Sequence, residues 1–291
     1  MVKRYTIGYV YPESDHCLDD KFLIKLLKKK FNLILFPLEK QIDEKLIEEK
    51  AKSCKLIFNN AVYEPFTWDG IELSKTFEEF GVKVINPSRS FYYQEDKWVF
   101  FIECLKNKIP TPATYLISKK LNEKKIKKIL MDGPIVIKAI FSDKGQCVER
   151  AKTFEEFEDK LQKIINRAPT TPIIAQKYIE HGNVSYKVLL IGNKVVQSVV
   201  IRGKSWEQTG MKETENYRTF KPDKKLKELC EKASKSFGMK WCSLDLIKQN
   251  NDWYLIEVNG CPAVDFIYSD MERLGNMLIN FLYKEAKRSS K

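Results

Sequence analysis

Histidine is almost missing from this chain of 291 residues, which carries only His16 and His181. A metal centre, if there is one, is therefore expected to use oxygen donors. The seven cysteines (Cys17, Cys54, Cys104, Cys147, Cys230, Cys242, Cys261) are odd in number, scattered and never spaced as CxxC. That pattern argues against a zinc site or a disulfide framework and for reduced thiols. No stretch approaches the roughly 18 consecutive apolar residues of a membrane span, and "MVKRYTIGYVYPESD" enters a strand pattern where a signal peptide would have its apolar core. Internal repeats and low-complexity tracts are also lacking. What remains is a globular, non-membrane protein expected in the cytoplasm.

The composition is 43% hydrophobic, 31% charged and 12% aromatic, enough for two domains or one large one with a sizeable core. The formal net charge is +12, with lysine runs such as "LLKKKF", "EKKIKKIL" and "PDKKLKELCEKASK". Most runs sit at amphipathic-helix spacing, which favours solvated faces over a nucleic-acid patch. The surplus still suits an anionic substrate, whether nucleotide phosphates, a polyphosphate or a polycarboxylate.

Alternating strand and helix patterns open the chain: "RYTIGYVYP", the helix "DDKFLIKLLKKK", "FNLILFPL", "KLIFNN", the helix "GIELSKTFEEFG" and "VKVINP". Short connections between them predict a mostly parallel sheet ending near Pro87. One helix, "SFYYQEDKWVFFIECLKNK", then leads through "IPTPATYLI" and a lysine-rich helix to "GPIVIKAIFSDKGQCVERA", read as two strands joined by a tight turn at "SDKG". The helix "TFEEFEDKLQKIINR" follows, and after it the strands of "PIIAQKYIEHGNVSYKVLLIGNKVVQSVVIRG", with a hairpin turn at "IGNK". The polar segment from Lys204 to Thr219 has no periodicity and is expected to be a mobile loop. A helix from Lys224 to Phe237, the hairpin "WCSLDLIKQNNDWYLIEVNG" and a helix from about Tyr268 to Lys284 close the chain.

Chemistry is concentrated in that last hairpin. Asp245 and Glu257 are carboxylates on otherwise apolar strands, 12 residues apart around the "QNND" turn, a separation that lets paired strands set them side by side. Asn259 lies two residues beyond Glu257 and points the same way. Three oxygen donors on one face suit a hard cation such as Mg²⁺ holding substrate phosphates; pairing of the carboxylates with lysines is the plain alternative. Lys138 ends the apolar run "PIVIK", seven residues before Gly145, and a lysine opposite a glycine-containing loop suits phosphates, although a lysine snorkelling from a strand end looks the same. Gln176, Lys177, Tyr178 and Ile179 read either as a hinge presenting backbone groups to an adenine edge, with Lys187 facing the same cleft, or as a strand passing into a loop.

In this order the pieces resemble the ATP-grasp superfamily, from roughly Asp96 to Asp265. "EDKWVFFIECLKNKIPTPATYLI", "GPIVIKAIFSDKG", "IIAQKYI" and "SLDLI…WYLIEVNGCP" match its entry segment, phosphate-loop strand, hinge and metal hairpin. The resemblance implies an α/β (α+β) ATP-grasp fold: a parallel α/β pre-ATP-grasp domain (1–90), a central subdomain (91–175) and a C-terminal subdomain with the metal hairpin (176–291), the last two clasping ATP. It implies that Lys97 and Lys138 hold the α- and β-phosphates, the loop around Gly145 closes over the triphosphate, and Gln176 to Ile179 form the adenine hinge. Asp245, Glu257 and Asn259 would ligate Mg²⁺, with Mn²⁺ as a substitute, while Arg218, Arg202 and Lys187 stand where the family places cations beside the transferring phosphate. Departures are Lys177 for the hinge glutamate, a single loop glycine, Ser185 where an acidic residue often meets the ribose, and no asparagine or glycine-rich tail after "YRTF".

"EVNGCPA" and "IPTPATYL" look most like the RimK-type branch. That branch implies ATP-dependent carboxylate–amine ligation through an acyl phosphate, adding an amino acid such as glutamate to an anionic small-molecule or peptide carboxylate. "QKYIEHGNVSYKVLLIG" and "IGYVYPE" are also similar to ATP-grasp inositol polyphosphate kinases, in which His181 and Lys187 would meet a phosphorylated inositol. A non-catalytic nucleotide- or RNA-binding module is the third reading.

Overall fold

The computed structural model describes residues 4–13, 18–39, 44–63, 65, 67–118, 122–142, 147–203, 217–262 and 268–289. Within them the chain builds three sheets. The first is parallel, in the order β2 (Asn32–Pro37), β1 (Thr6–Tyr11), β3 (Ile57–Asn59), β4 (Val84–Ile85). Parallel strands need crossovers, supplied here by α1 (Leu18–Lys30), α2 (Glu44–Lys52) and α3 (Thr67–Glu79). Both faces are buried. Val10, Phe36, Ile57 and Phe77 share one cluster with residues of α2, while Ile7, Tyr9 and Phe58 pack against α1 and the last helix, α9 (Met271–Arg288).

The second sheet is antiparallel, β5 (Thr114–Ile117), β8 (Ile173–Lys177), β6 (Ile135–Ala139), β7 (Val148–Ala151). One face carries Ile135, Ile137, Ile173 and Ala175 under α6 (Glu123–Met131) and α7 (Phe154–Arg167). Helix α7 begins where the Thr153 hydroxyl accepts from Glu156 N, and it buries Phe157, Leu161 and Ile164, a spacing of one helical face. The opposite face holds the alternate residues, Val136, Lys138, Ile174 and Gln176.

The third sheet is also antiparallel, β11 (Tyr217–Thr219), β10 (Lys194–Arg202), β9 (Val184–Ile191), β12 (Trp241–Gln249), β13 (Asp252–Asn259). The β9–β10 turn is made by Gly192 and Asn193 at φ 60 and 62, the left-handed pair that a two-residue hairpin turn demands. One face, with Val188, Leu190, Leu244 and Leu255, lies under α8 (Lys224–Ser236) and receives Phe91 and Phe100 from α4 (Ser88–Glu95) and α5 (Lys97–Lys106). The other face sends Leu189, Ile191 and Trp241 into the core shared with the first sheet. Helices α4 and α5 thus pack on the third sheet, and α9 lies between the first and the third.

The expected single helix over 90–108 is two. Asp96 is extended (φ −104, ψ 100), and its carboxylate accepts from Trp98 N and Val99 N to start α5 afresh. Strands β6 and β7 pair antiparallel as expected, while Asp143, Lys144 and Gly145 of the expected "SDKG" turn lie outside the described residues. Helix α2 was not expected. Of the expected mobile loop, 204–216 lie outside the described residues, whereas Tyr217 to Thr219 pair with β10 as an edge strand.

Candidate functional site

Cross-strand partners share a sheet face, so register fixes what meets in the third sheet. Asp245 is opposite Glu257 on β13 and opposite Lys187 on β9; Ser243 is opposite Asn259. Lys187, Asp245 and Glu257 therefore form one row across three strands, with Asn259 two positions along from Glu257. The row depends on a bulge. From the turn upward the partners are Gln249 with Asp252 and Leu246 with Leu255, but the next pair is Asp245 with Glu257, leaving Ile256 as the extra residue. In an unbroken strand Leu255 and Glu257 would share a face; here Leu255 is fully buried in the core and Glu257 lies on the opposite face, which Lys97 and Lys138 of the neighbouring elements approach to form a cleft.

Lys187 Nζ lies 3.0 Å from Asp245 Oδ1. Burial alone would lower the Lys187 pKa, but Asp245, Glu257 and Tyr217 outweigh it and the net shift is upward. Glu257 is raised, by burial first and by Asp245 second, against the pull of Lys97, Lys187 and Lys138. Lys138, on the second sheet, is drawn down to about 8 by burial and then by the Lys97 ammonium, Glu257 opposing. Residues far apart in sequence thus form one electrostatic unit of three cations and two carboxylates. Its surplus is positive, as an anionic ligand requires.

Each cation is held in place. Lys138 Nζ donates to Gln176 Oε1 at 2.9 Å, and Gln176 Nε2 donates to Thr114 Oγ1 at 3.0 Å, which fixes the amide's orientation. Lys97, the first residue of α5, donates to Ile140 O at 3.1 Å and to Ser142 O, tying the helix start to the base of the β6–β7 connection. In the expected hinge, Lys177 N donates to Ala113 O at 2.8 Å and Tyr178 N to Pro134 O at 2.9 Å, so these two groups are taken. Arg150 lies over the Tyr178 ring, 4.7 Å from its centroid, and Ile179 is buried.

Two expected cations are not brought to this face. Register pairs Arg218 with Val200, which pairs with Tyr186, and Arg202 with Val184. Those rows alternate with the one holding Lys187, so both arginines sit on the side of Tyr186 and Leu246. Strand alternation, invisible while Lys204 to Thr219 reads as a loop, is the reason. It is Tyr217, overlooked in that segment, that couples to Lys187.

Two further residues gave no sequence signal, because their partners are remote. Asn86, fully buried, donates to Trp241 O and to Gly260 O and accepts from the backbone N–H groups of Lys240 and Trp241. Gln94 Oε1 accepts from Gly260 N at 2.6 Å. Together they grip the residue that follows Asn259. A Cβ on Gly260 would meet Phe91 Cε1 at 2.6 Å, so the close approach needs glycine.

No group of three or more His, Cys, Asp and Glu side chains suited to a metal occurs among the described residues. The cleft offers two carboxylates and one carboxamide. That donor set fits Mg²⁺, which takes one or two carboxylates and completes its shell with water and phosphate oxygens. The raised Glu257 is consistent with a pair of like charges that a divalent cation would relieve.

A family model described as the RimK-like ATP-grasp domain matches residues 94–279. The chain belongs to the RimK-like ATP-grasp family. It is accordingly an ATP-grasp ligase. The chain is 26% identical over 224 residues to a probable alpha-L-glutamate ligase of Psychromonas ingrahamii, covering 76% of this chain and 74% of that protein. A probable alpha-L-glutamate ligase of Halorhodospira halophila is 23% identical over the same shares. Among solved structures, a RimK domain ATP-grasp protein from Sphaerobacter thermophilus superposes with TM-score 0.69 at 14% identity, over 96% of this chain and 99% of that one. The D-alanine–D-alanine ligase of Bacillus anthracis complexed with ATP gives 0.71 at 17% identity, over 98% of each chain. These likenesses carry the ATP-grasp fold, which the three sheets display. No helix among the described residues is long and apolar enough to cross a membrane.

Proposed function

We propose that this ATP-grasp ligase joins a carboxylate to an amine, adding an amino acid such as glutamate to an anionic small-molecule or peptide acceptor. The observation that carries the reading is the row of Lys187, Asp245 and Glu257 coupled to Lys97 and Lys138. The names of the curated relatives favour glutamate.

In this reading Lys97 and Lys138 hold the α- and β-phosphates, Lys97 exchanging the carbonyls of Ile140 and Ser142 for phosphate oxygens. Asp245, Glu257 and Asn259 hold Mg²⁺ or Mn²⁺. When bound, the ion neutralises charge on the phosphates and polarises the transferring group. The acceptor carboxylate displaces ADP from the γ-phosphorus, forming an acyl phosphate; the amine attacks its carbonyl carbon and gives up a proton to solvent, and phosphate leaves with the electron pair of the acyl C–O bond. Both steps build negative charge on phosphate oxygens, and Lys187, already on the cleft face, is placed to stabilise it. Arg218 and Arg202 would have to reach the cleft from the other side of the sheet.

The hinge reads the base through Ile179 and the residues after it, since the N–H groups of Lys177 and Tyr178 are committed. Residues 1–90 serve as the pre-ATP-grasp domain, which lines the acceptor pocket, and 91–175 and 176–291 as the clasping subdomains. Location in the cytoplasm is supported by the free thiols of Cys54, Cys104, Cys147, Cys230, Cys242 and Cys261.

The test is ADP release from ATP and Mg²⁺ with a panel of carboxylates and amino acids. Release that needs both partners supports ligation, and release with an inositol phosphate alone assigns the chain to kinase chemistry instead.

A further inference from the structure

A second charged concavity lies away from the cleft. Its volume is about 430 Å³, between the β9–β10 turn, Lys240 and the C-terminal half of α9. Ile191 on its wall is four residues beyond Lys187 on β9, roughly 13 Å at ~3.3 Å per residue, and no residue of the cleft lines it.

Its organising group is Glu285, only 2% exposed. That one carboxylate receives Lys83 at 2.7 Å, Lys240 at 2.8 Å and Arg288 at 2.7 Å. Burial alone would raise its pKa; the bonds from Lys240 and Lys83 win and hold it down at about 2, so it stays charged. Burying one carboxylate needs one countercharge. Three leave a surplus of two positive charges; Lys240 and Arg288, 38% and 74% exposed, line the concavity, while Lys83 braces Glu285 from outside its lining. Lys284, exposed on the next position of α9, adds another and pairs with no carboxylate among the described residues. Ile191, Val196, Met277 and Phe281 add apolar lining.

A carboxylate that pins several cations in place lowers the ordering cost of binding an anion, because the rotamers are already fixed. Arginine adds a fork that matches carboxylate and phosphate alike. We infer that this concavity is a second binding site, separate from the nucleotide cleft, for a ligand bearing two or more carboxylate or phosphate groups.

Calorimetry on the full chain tests this with tripolyphosphate and a tetraglutamate peptide as probes, in Lys138→Ala protein so that the cleft does not compete. The expected result is saturable binding of at least one probe at one per chain. In that background Lys284→Glu should weaken it at least tenfold, while Lys124→Glu, an exposed lysine on the distant α6, changes it less than twofold. Preference for one probe identifies the anion as phosphate or carboxylate. Equal weakening by the two variants, meaning general charge attraction, or no saturable binding of either probe, overturns the inference.

Discussion

Asp245 faces Glu257 across the hairpin because one extra residue, Ile256, interrupts the strand between Leu255 and Glu257. The bulge lets a single short strand serve two masters. Leu255 stays in the core under α8, while Glu257 and Asn259 turn to the cleft.

Lys138 is expected to trade stability for binding. An unfolded lysine titrates near ~10.4, and the folded Lys138 near 8. Between those values the unfolded chain holds the extra proton, so this group's contribution to stability rises with pH across that window, and below it the charged lysine is a cost. Lys138→Met should therefore stabilise the nucleotide-free protein at pH 7 by about 1 kcal/mol, after the loss of the bond to Gln176 is counted. The gain should vanish above about pH 10. The same variant should bind ATP on the order of a hundredfold more weakly, and wild-type affinity should decline as pH rises past 8. Melting curves and nucleotide titrations from pH 6 to 10 check both halves.

Lys187 should matter more than Arg218. It shares the row of Asp245 and Glu257, whereas Arg218 lies in the alternate row with Tyr186. Lys187→Ala is expected to lower kcat/KM on the order of a hundredfold and Arg218→Ala less than tenfold. Steady-state kinetics of the two variants decide it, and the reverse order would show that β11 presents its arginine to the cleft during turnover.

Gly260→Ala is expected to damage the site without touching a charged group. The new methyl meets the buried Phe91 ring, and the grip of Asn86 and Gln94 on residue 260 leaves little room to yield. A loss of about 1–3 kcal/mol is expected from overpacking. Weaker Mg²⁺ dependence of nucleotide binding should accompany it, as the exit of β13 shifts. Chemical denaturation with parallel Mg²⁺ titrations measures both.

Much of this was legible in the sequence, for local reasons. The polar turn between two apolar runs announces the hairpin, and the spacing of Asp245 and Glu257 announces their pairing, although the bulge that achieves it leaves no local mark. The "IGNK" turn carries the Gly-Asn pair that its backbone requires. Asp96 is an N-cap inside what reads as a continuous helix, because Gln94, Glu95 and Lys97 beside it are good helix formers and no glycine or proline marks the break. Tyr217 and Arg218 exchange importance once three residues of an apparent loop become an edge strand, since a strand alternates its faces and a loop does not. Asn86 was out of reach, because its partners stand 155 and 174 residues away and only the assembled sheets bring them together.

In the proposed function, Glu257, Asp245 and the facing lysines form a Mg-ATP site serving amide ligation. ADP release by wild type and Glu257→Gln, with ATP, Mg²⁺, a carboxylate acceptor and glutamate supplied singly and together, tests it most directly. Wild type is expected to release ADP only when both partners are present, and Glu257→Gln to release it on the order of a hundredfold or more slowly with its fold intact by melting. Turnover at wild-type level in Glu257→Gln, or release that ignores the amine, would contradict it.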